Sequence, residues 1–322
     1  MKITFLDTQT VADLPDALAK FNELGEYTAY EHTAPDQVLE RLRGSTVAIT
    51  NKVAIGAVEM DRLPDLKLIC IAATGMDNVD LDAAAERGIS VKNVGGYSTD
   101  SVAQLTITLL FTLAMDLIHL NHAVYDGTYG EHSAFSYWRQ PFRELSGARY
   151  GIIGLGAIGC RVGELATAFG AEVVYHSTSG GNTTGQPYPH VSLDELLTTC
   201  AVVSLHCPLN DATRNLIDYD ELVKMKPSAY LINVARGGIV NEPALVRALD
   251  ENRIAGAACD VFSTEPVPAD HPFLAVKEPQ RLLLTPHMGW ASIEARLALL
   301  AGVRHNIASF TTQHPSSGPV IR

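Results

Sequence analysis

The segment Gly151-Ile152-Ile153-Gly154-Leu155-Gly156-Ala157-Ile158-Gly159 constrains this chain more than any other. An apolar strand runs straight into Gly-x-Gly-x-x-Gly, and the stretch beyond it, up to Phe169, carries a helical pattern. The first glycine allows a tight turn. The second lets backbone approach a pyrophosphate with no Cβ in the way, and the third lets the helix pack close to the strand. The helix N-terminus then offers unpaired N–H groups and a positive dipole end. Gly154, Gly156, Ala157, Ile158 and Gly159 are therefore the first candidates for holding a dinucleotide. A glycine-rich turn that serves packing alone is the plainer alternative, and the framing by strand and helix speaks against it.

A dinucleotide-binding domain usually opens near its own start, yet enough chain for a domain of ~100–150 residues precedes this motif. Composition adds mild limits. With 322 residues, 47% of them apolar and 19% charged, the chain can bury two cores. A net charge of −12 argues against nucleic acid or an anionic membrane as partner. Asp7 interrupts the N-terminal apolar run, so no signal peptide is read there. The longest apolar stretch, residues 105–115, is too short to span a bilayer and reads as a buried helix. Cys70, Cys160, Cys200, Cys207 and Cys259 are scattered without a Cys-x-x-Cys pair, which points to reduced thiols in a cytoplasmic protein and to no zinc-type site.

Strand and helix patterns alternate from end to end. Strands are expected at residues 3–6, 46–50, 68–72 and 89–94 in the first half, and at 150–154, 172–176, 201–205, 230–234, 255–260 and 281–285 in the second. Helical patterns lie between them, at 35–42 and 81–87 for example. This alternation implies right-handed crossovers and parallel sheets covered on both faces, and two such sheets fit the length better than one. The boundary falls at residues 97–104, where Thr99, Asp100 and Ser101 are N-cap candidates for the apolar helix. Residues 121–144 form a polar, aromatic, weakly periodic excursion that reads as an interface arm. A long helix is expected from Ala291 to about Phe310, with a short Pro/Ser/Gly tail after it.

Three strand ends carry chemistry: Asn233-Val234-Ala235-Arg236-Gly237-Gly238, Asp260-Val261-Phe262-Ser263-Thr264-Glu265-Pro266 and Thr285-Pro286-His287-Met288-Gly289-Trp290. Singly, each has a plain reading as a surface ion pair or a satisfied structural residue. Ligands of doubly wound sheets sit at the carboxyl ends of strands, however, so Arg236, Glu265 and His287 can converge on one cleft.

These segments, with Thr74-Gly75-Met76-Asp77-Asn78-Val79-Asp80, Tyr97-Ser98-Thr99-Asp100-Ser101-Val102-Ala103-Gln104 and His206-Cys207-Pro208-Leu209, resemble the D-isomer-specific 2-hydroxyacid dehydrogenase family. Within it, the Tyr-Ser-Thr-Asp-Ser-Val-Ala-Gln run and the Trp-Ala-Ser after the histidine are most similar to glycerate dehydrogenases (hydroxypyruvate reductases). The resemblance implies an α/β chain of two doubly wound parallel-sheet domains. A flavodoxin-like substrate domain would take residues 1–100 and 289–322, and a Rossmann cofactor domain residues 101–288. It implies reduction of a small 2-oxo acid, hydroxypyruvate before glyoxylate or pyruvate, with His287 as proton donor. Glu265 would hold the other ring nitrogen, fixing the tautomer and favouring the charged ring. Arg236 would fork onto the substrate carboxylate. Backbone N–H groups around Thr74 and Gly75 would take the remaining carboxylate oxygen, in a cleft that closes against water. Asp260 would meet the nicotinamide carboxamide, His206 and Pro208 would line the cofactor through their backbone, and Val234 and Ala235 would flank it. Substrate choice would lie with residues 51–55, 74–77 and Trp290, which would narrow the pocket. A homodimer through the cofactor domains and the aromatic arm is also implied.

One departure bears on the cofactor. An NAD-preferring enzyme places a carboxylate about 20 residues beyond the glycines. Here that slot reads His176-Ser177-Thr178, and no Lys or Arg stands between Arg161 and Arg214. NAD with relaxed discrimination follows, NADP being possible. Two other classes use the same scaffold: an NAD(H)-responsive binding or corepressor protein without turnover, and a formate- or phosphite-oxidising dehydrogenase. The intact Arg236, Glu265 and His287 set and the acidic charge favour the 2-hydroxyacid enzyme.

Overall fold

Short apolar segments separated by helices leave the strands one economical arrangement, parallel sheets with both faces covered. The computed structural model describes residues Met1–Gln313, so the expected Pro/Ser/Gly tail lies outside the described residues. The chain divides into two compact units, one of residues 1–98 with the chain from Ala291 onward, the other Thr99–Trp290.

In the first unit, β1 (Lys2–Phe5), β2 (Glu26–Ala29), β3 (Val47–Thr50), β4 (Leu68–Ile71) and β5 (Ser90–Lys92) form a parallel sheet in the order β2-β1-β3-β4-β5. This is the flavodoxin-like order. Every residue of β3 and β4 is buried, as a sheet covered on both sides requires. On one face Ala48, Ile69 and Ile71 pack with Val38, Leu42, Ile55 and Leu66. The helix Ile293–Gln313 packs against β4. It also packs closely on the segment after β5, where a Cβ on Gly302 would stand 2.5 Å from Val94 Cγ1. Strand β2 was not expected from the sequence. Glu-Tyr-Thr-Ala has no apolar run, and the strand is a sheet edge with its residues exposed or half-buried.

In the second unit, β6 (Arg149–Ile153), β7 (Glu172–His176), β8 (Val202–Leu205), β9 (Tyr230–Asn233), β10 (Gly256–Cys259) and β11 (Leu282–Leu284) make a second parallel sheet. Its order is β11-β10-β9-β8-β6-β7. A single parallel bridge from Tyr175 to His190 extends it beyond β7, the remnant of a further strand. With that remnant the order is that of a Rossmann sheet, and it reverses between β6 and β8.

The apolar stretch begun at Leu105 is part of the helix Thr99–Ala114, which packs on the helix Ala157–Ala168 and on β9 and β10. Val102, Thr106, Leu109 and Leu113 recur at helical spacing and are buried, and Thr106 Oγ1 donates to Val102 O at 2.8 Å. Asp100 and Ser101 are spent elsewhere: Arg161 Nε donates to Asp100 at 2.7 Å, and Ser101 Oγ donates to Gly289 O at 2.6 Å. The start of the aromatic excursion needs correcting, because Leu117–Tyr125 is helical and the irregular chain begins only after it. That chain leaves Phe135, Trp138 and Phe142 exposed. No single helix among the described residues is long and apolar enough to cross a membrane.

Candidate active site

The glycine turn leaves β6 at the point where the sheet order reverses. Gly154 has φ +93°, a left-handed conformation, and a Cβ there would stand 2.7 Å from Cys207 N. Gly159 packs on Gly154 O just as tightly, while a Cβ on Gly156 would meet nothing within 4 Å. The helix Ala157–Ala168 has no side-chain cap and no acidic residue in its first turn. Its leading N–H groups, on Ala157, Ile158 and Gly159, precede the first full turn and have no i−4 carbonyl within the helix. The turn fits the pyrophosphate of a dinucleotide.

Beside the turn lies the segment after β8. His206 N donates to Ile153 O at 2.8 Å, which lays this segment along the end of β6. His206 Nε2 is 2.9 Å from Ser204 Oγ, Nδ1 is buried without a partner, and burial pushes the ring's pKa down to about 3. The imidazole is therefore neutral. Pro208 is exposed, and its carbonyl accepts from Thr213 Oγ1 at 2.7 Å. Beyond β7, Ser177 is buried and His176 and Thr178 are half-buried. The side chain of Asn182, further along this segment, is engaged by its neighbours. Its Nδ2 donates to Leu155 O at 3.0 Å and its Oδ1 accepts from Gln186.

The three chemical segments follow β9, β10 and β11, which are neighbours in the sheet. His287 Nδ1 lies 2.7 Å from Glu265 Oε2, with both side chains about a third exposed or less (27% and 30%). Glu265 Oε1 accepts from Phe262 N at 3.0 Å, so the carboxylate is aimed by its own loop. His287 has φ +52°, a left-handed conformation that costs a non-glycine residue about 1–3 kcal/mol. Asp260 holds it there. Buried to 2% exposure, its Oδ1 accepts from Met288 N at 2.9 Å and Thr285 Oγ1 at 2.6 Å, and its Oδ2 from Gly289 N at 2.8 Å. A carboxylate has about four acceptor positions, so one remains. Trp290, next in the chain, is half-buried.

Arg236 sits in a turn shaped by Asn233, whose Oδ1 accepts from Ala235 N at 3.1 Å and whose Nδ2 donates to Arg236 O at 3.0 Å. Val234 and Ala235 are buried within that turn. The half-buried guanidinium spends one donor on Ala235 O at 2.8 Å. The next residue, Gly237, lies flush against the Phe262–Ser263 peptide, with no room for a Cβ. Sequence reasoning singled out neither Asn233 nor Gly237 as site residues, although both stand in the quoted Arg236 segment.

Thr74 and Gly75 lie in the first unit, on the loop after β4. Thr74 Oγ1 donates to Val94 O at 3.1 Å, and Asn93 Nδ2 donates to Thr74 O at 2.6 Å. The loop after β3 is held from beneath by Asp7, whose carboxylate accepts from Asn51 N, Lys52 N and Val53 N at 2.8, 2.6 and 3.1 Å. Burial raises the Asp7 pKa, and the three N–H groups oppose that rise. Asn51 Nδ2 in turn donates to Ala72 O at 2.6 Å, which ties the two loops together. A cleft of about 490 Å³ opens over the ends of β1 and β3, lined by Asp7, His32, Asn51 and Lys52 among others.

A parallel sheet that reverses beside a glycine turn, with a histidine–carboxylate pair and an arginine at successive strand ends, defines a dinucleotide-dependent dehydrogenase. Residues 107–289 match the family described as D-isomer specific 2-hydroxyacid dehydrogenase, NAD binding domain. The chain is 37% identical to a glycerate dehydrogenase of Methylorubrum extorquens over 320 residues, covering 98% of each chain. It is 33% identical to a hydroxypyruvate reductase of Blautia hydrogenotrophica over 296 residues, covering 91% of each. Among solved structures, an acyclic imino acid reductase in complex with NADPH and D-Arg superposes with a TM-score of 0.86 at 30% identity, covering 98% of this chain and 99% of that one. This chain belongs to the D-isomer-specific 2-hydroxyacid dehydrogenase family, and it is an NAD(P)-dependent oxidoreductase acting on the CH–OH group of 2-hydroxy acids.

Proposed function

We propose that the chain reduces a small 2-oxo acid to the D-2-hydroxy acid, hydroxypyruvate before glyoxylate or pyruvate, with His287 donating the proton. The 2.7 Å pair of His287 Nδ1 with Glu265 Oε2 carries the reading. It leaves the other ring nitrogen, Nε2, to face the carbonyl oxygen of a substrate. Bound NAD(P)H supplies the hydride. Gly154, Gly156, Ala157, Ile158 and Gly159 hold its pyrophosphate, and Val234, Ala235, His206 and Pro208 line it. Asp260 meets its carboxamide with the acceptor position left over from the Thr285–Gly289 segment. Arg236 grips the substrate carboxylate through its remaining donors and draws charge toward the carbonyl oxygen, where negative charge grows. Thr74 and Gly75 offer backbone N–H groups to the second carboxylate oxygen, and Trp290 limits the size of the side chain admitted.

The names of the glycerate dehydrogenase and hydroxypyruvate reductase relatives support hydroxypyruvate as first choice. The buried Ser177 hydroxyl in place of a carboxylate supports NAD with relaxed discrimination, and makes NADP usable. The exposed aromatic side chains of residues 125–142 support a homodimer.

The test is the loss of NADH or NADPH absorbance with hydroxypyruvate, run beside His287→Ala. Turnover that falls by about 10²–10⁴ in the variant is expected. Turnover that survives the substitution, or none with hydroxypyruvate, glyoxylate or pyruvate, overturns the reading.

A further inference from the structure

A second glutamate–histidine pair lies behind the first. Glu242 opens the helix Glu242–Asp250 and is only 7% exposed. Its Oε1 accepts from Ser263 N at 2.7 Å and its Oε2 from Ser263 Oγ at 2.5 Å. His271 Nε2 stands 3.0 Å from Glu242 Oε2, at ion-pair distance but off the ordinary hydrogen-bond line, and its side chain is 3% exposed. His271 Nδ1 accepts from Phe273 N at 3.3 Å, which assigns the proton of a neutral ring to Nε2, the nitrogen nearer the carboxylate.

Two consecutive amides of one loop are thus gripped by two different carboxylates. Phe262 N goes to Glu265, the partner of His287, and Ser263 N goes to Glu242. Gly237, next to Arg236, rests on the peptide between them. The arginine turn and the histidine's carboxylate are therefore set by the same Phe262–Ser263 peptide, and Glu242 fixes that peptide from the buried side. A helix N-terminus would be served as well by an exposed carboxylate. Taking this one out of water has a cost that its bonds to Ser263 and its contact with His271 offset.

We propose that Glu242 is a positioning residue of the reaction, acting through the Phe262–Ser263 peptide on Glu265 and thence on His287. This rests on the reading of His287 as proton donor. A shift of about 1 Å at the reacting groups costs about 10²-fold in rate. Glu242→Gln keeps a carbonyl for Ser263 N, whereas Glu242→Asp keeps the charge on a stem one methylene shorter.

The full-length enzyme, Glu242→Gln, Glu242→Asp and His287→Gln would be compared for kcat and KM with hydroxypyruvate and NADH. NADH Kd by fluorescence and the pH profile of kcat would be measured alongside. Glu242→Asp is expected to lose about 10- to 100-fold in kcat, with NADH Kd within about twofold and a displaced pH profile, and Glu242→Gln to recover most of the rate. Three results overturn the proposal. One is Glu242→Asp within about threefold of the parent while His287→Gln is inactive. Another is a kcat loss with an unmoved pH profile and an equal loss in NADH affinity, which marks a purely structural role. The third is turnover retained in His287→Gln, which removes the proton donor itself and is told apart by that variant alone.

Discussion

Gly237→Ala is the sharpest test of how closely the arginine turn and the Glu265 loop are packed. Gly237 has no left-handed backbone, so an alanine there brings no conformational strain of its own. Its Cβ, however, would fall on the carbonyl carbon and oxygen of Phe262 and on Ser263 N, all well inside the 3.0 Å that real Cβ atoms respect. To reach an ordinary contact of 3.4 Å, one loop must retreat by more than 1 Å, and backbone cannot swing aside as a flexible side chain does. The retreat carries either Arg236 or Glu265 with it. Overpacking of this kind costs about 1–3 kcal/mol of stability, and a displacement of that size costs about 10²-fold in kcat. Gly238→Ala is the control in the same turn. At φ +79° it brings backbone strain of about 1–2 kcal/mol, but its nearest neighbours, Arg214 Nη1 and Leu209, are 3.7 Å or more away. Steady-state kinetics with hydroxypyruvate and NADH, beside urea unfolding, would separate the two. The reasoning predicts similar stability losses but a kcat loss confined to Gly237→Ala. A Gly237→Ala enzyme within about threefold of the parent in kcat would refute it, because the two loops would then be free to part.

His206 gives a pH test. Its pKa is about 3 in the fold against the ordinary 6.5 of an exposed imidazole, so above pH 6.5 neither state carries the proton. As pH falls below 6.5 the unfolded chain takes up a proton that the fold refuses, and stability is lost at about 1.4 kcal/mol per pH unit. Urea unfolding between pH 8 and 5.5 should show a flatter pH dependence for His206→Asn than for the parent, and parallel curves would count against a neutral ring. The aromatic arm gives a test of assembly: light scattering should report twice the chain mass, with Phe135→Asp combined with Trp138→Asp shifting it toward the monomer. A parent monomer at micromolar concentration would end that reading.

Strand and helix alternation, the glycine turn and the three strand ends were legible because each is a local signal. Hydrophobic runs mark buried parallel strands, and Gly-x-Gly-x-x-Gly describes one turn within a few residues. Edge elements were not legible. Glu26–Ala29 enters its sheet through backbone pairing with Lys2–Phe5, and the remnant strand at His190 is a single bridge, so neither needs an apolar pattern. Nor does His287 announce a left-handed backbone, a conformation for which glycine or asparagine is the usual signal.

The support of the site was illegible for a different reason. Asp7 reaches Asn51 across 44 positions, and Glu242 reaches Ser263 across 21. Those spacings follow from sheet order, which sets the ends of adjacent strands side by side whatever the length of chain between them. A motif can say that Arg236, Glu265 and His287 are present. Only the order β11-β10-β9 puts the segments after those strands next to one another, where a single peptide, Phe262–Ser263, can be touched by Gly237, Glu265 and Glu242 together. The groups proposed to react are exposed in part, as a group that meets a substrate must be, whereas the groups proposed to aim them, Asp260 and Glu242, are buried polar residues that accept from loop backbone. Burying a carboxylate without partners is costly, so a buried carboxylate that accepts from the backbone of a strand-end loop is itself a signal of a loop whose geometry matters. That signal exists only in three dimensions.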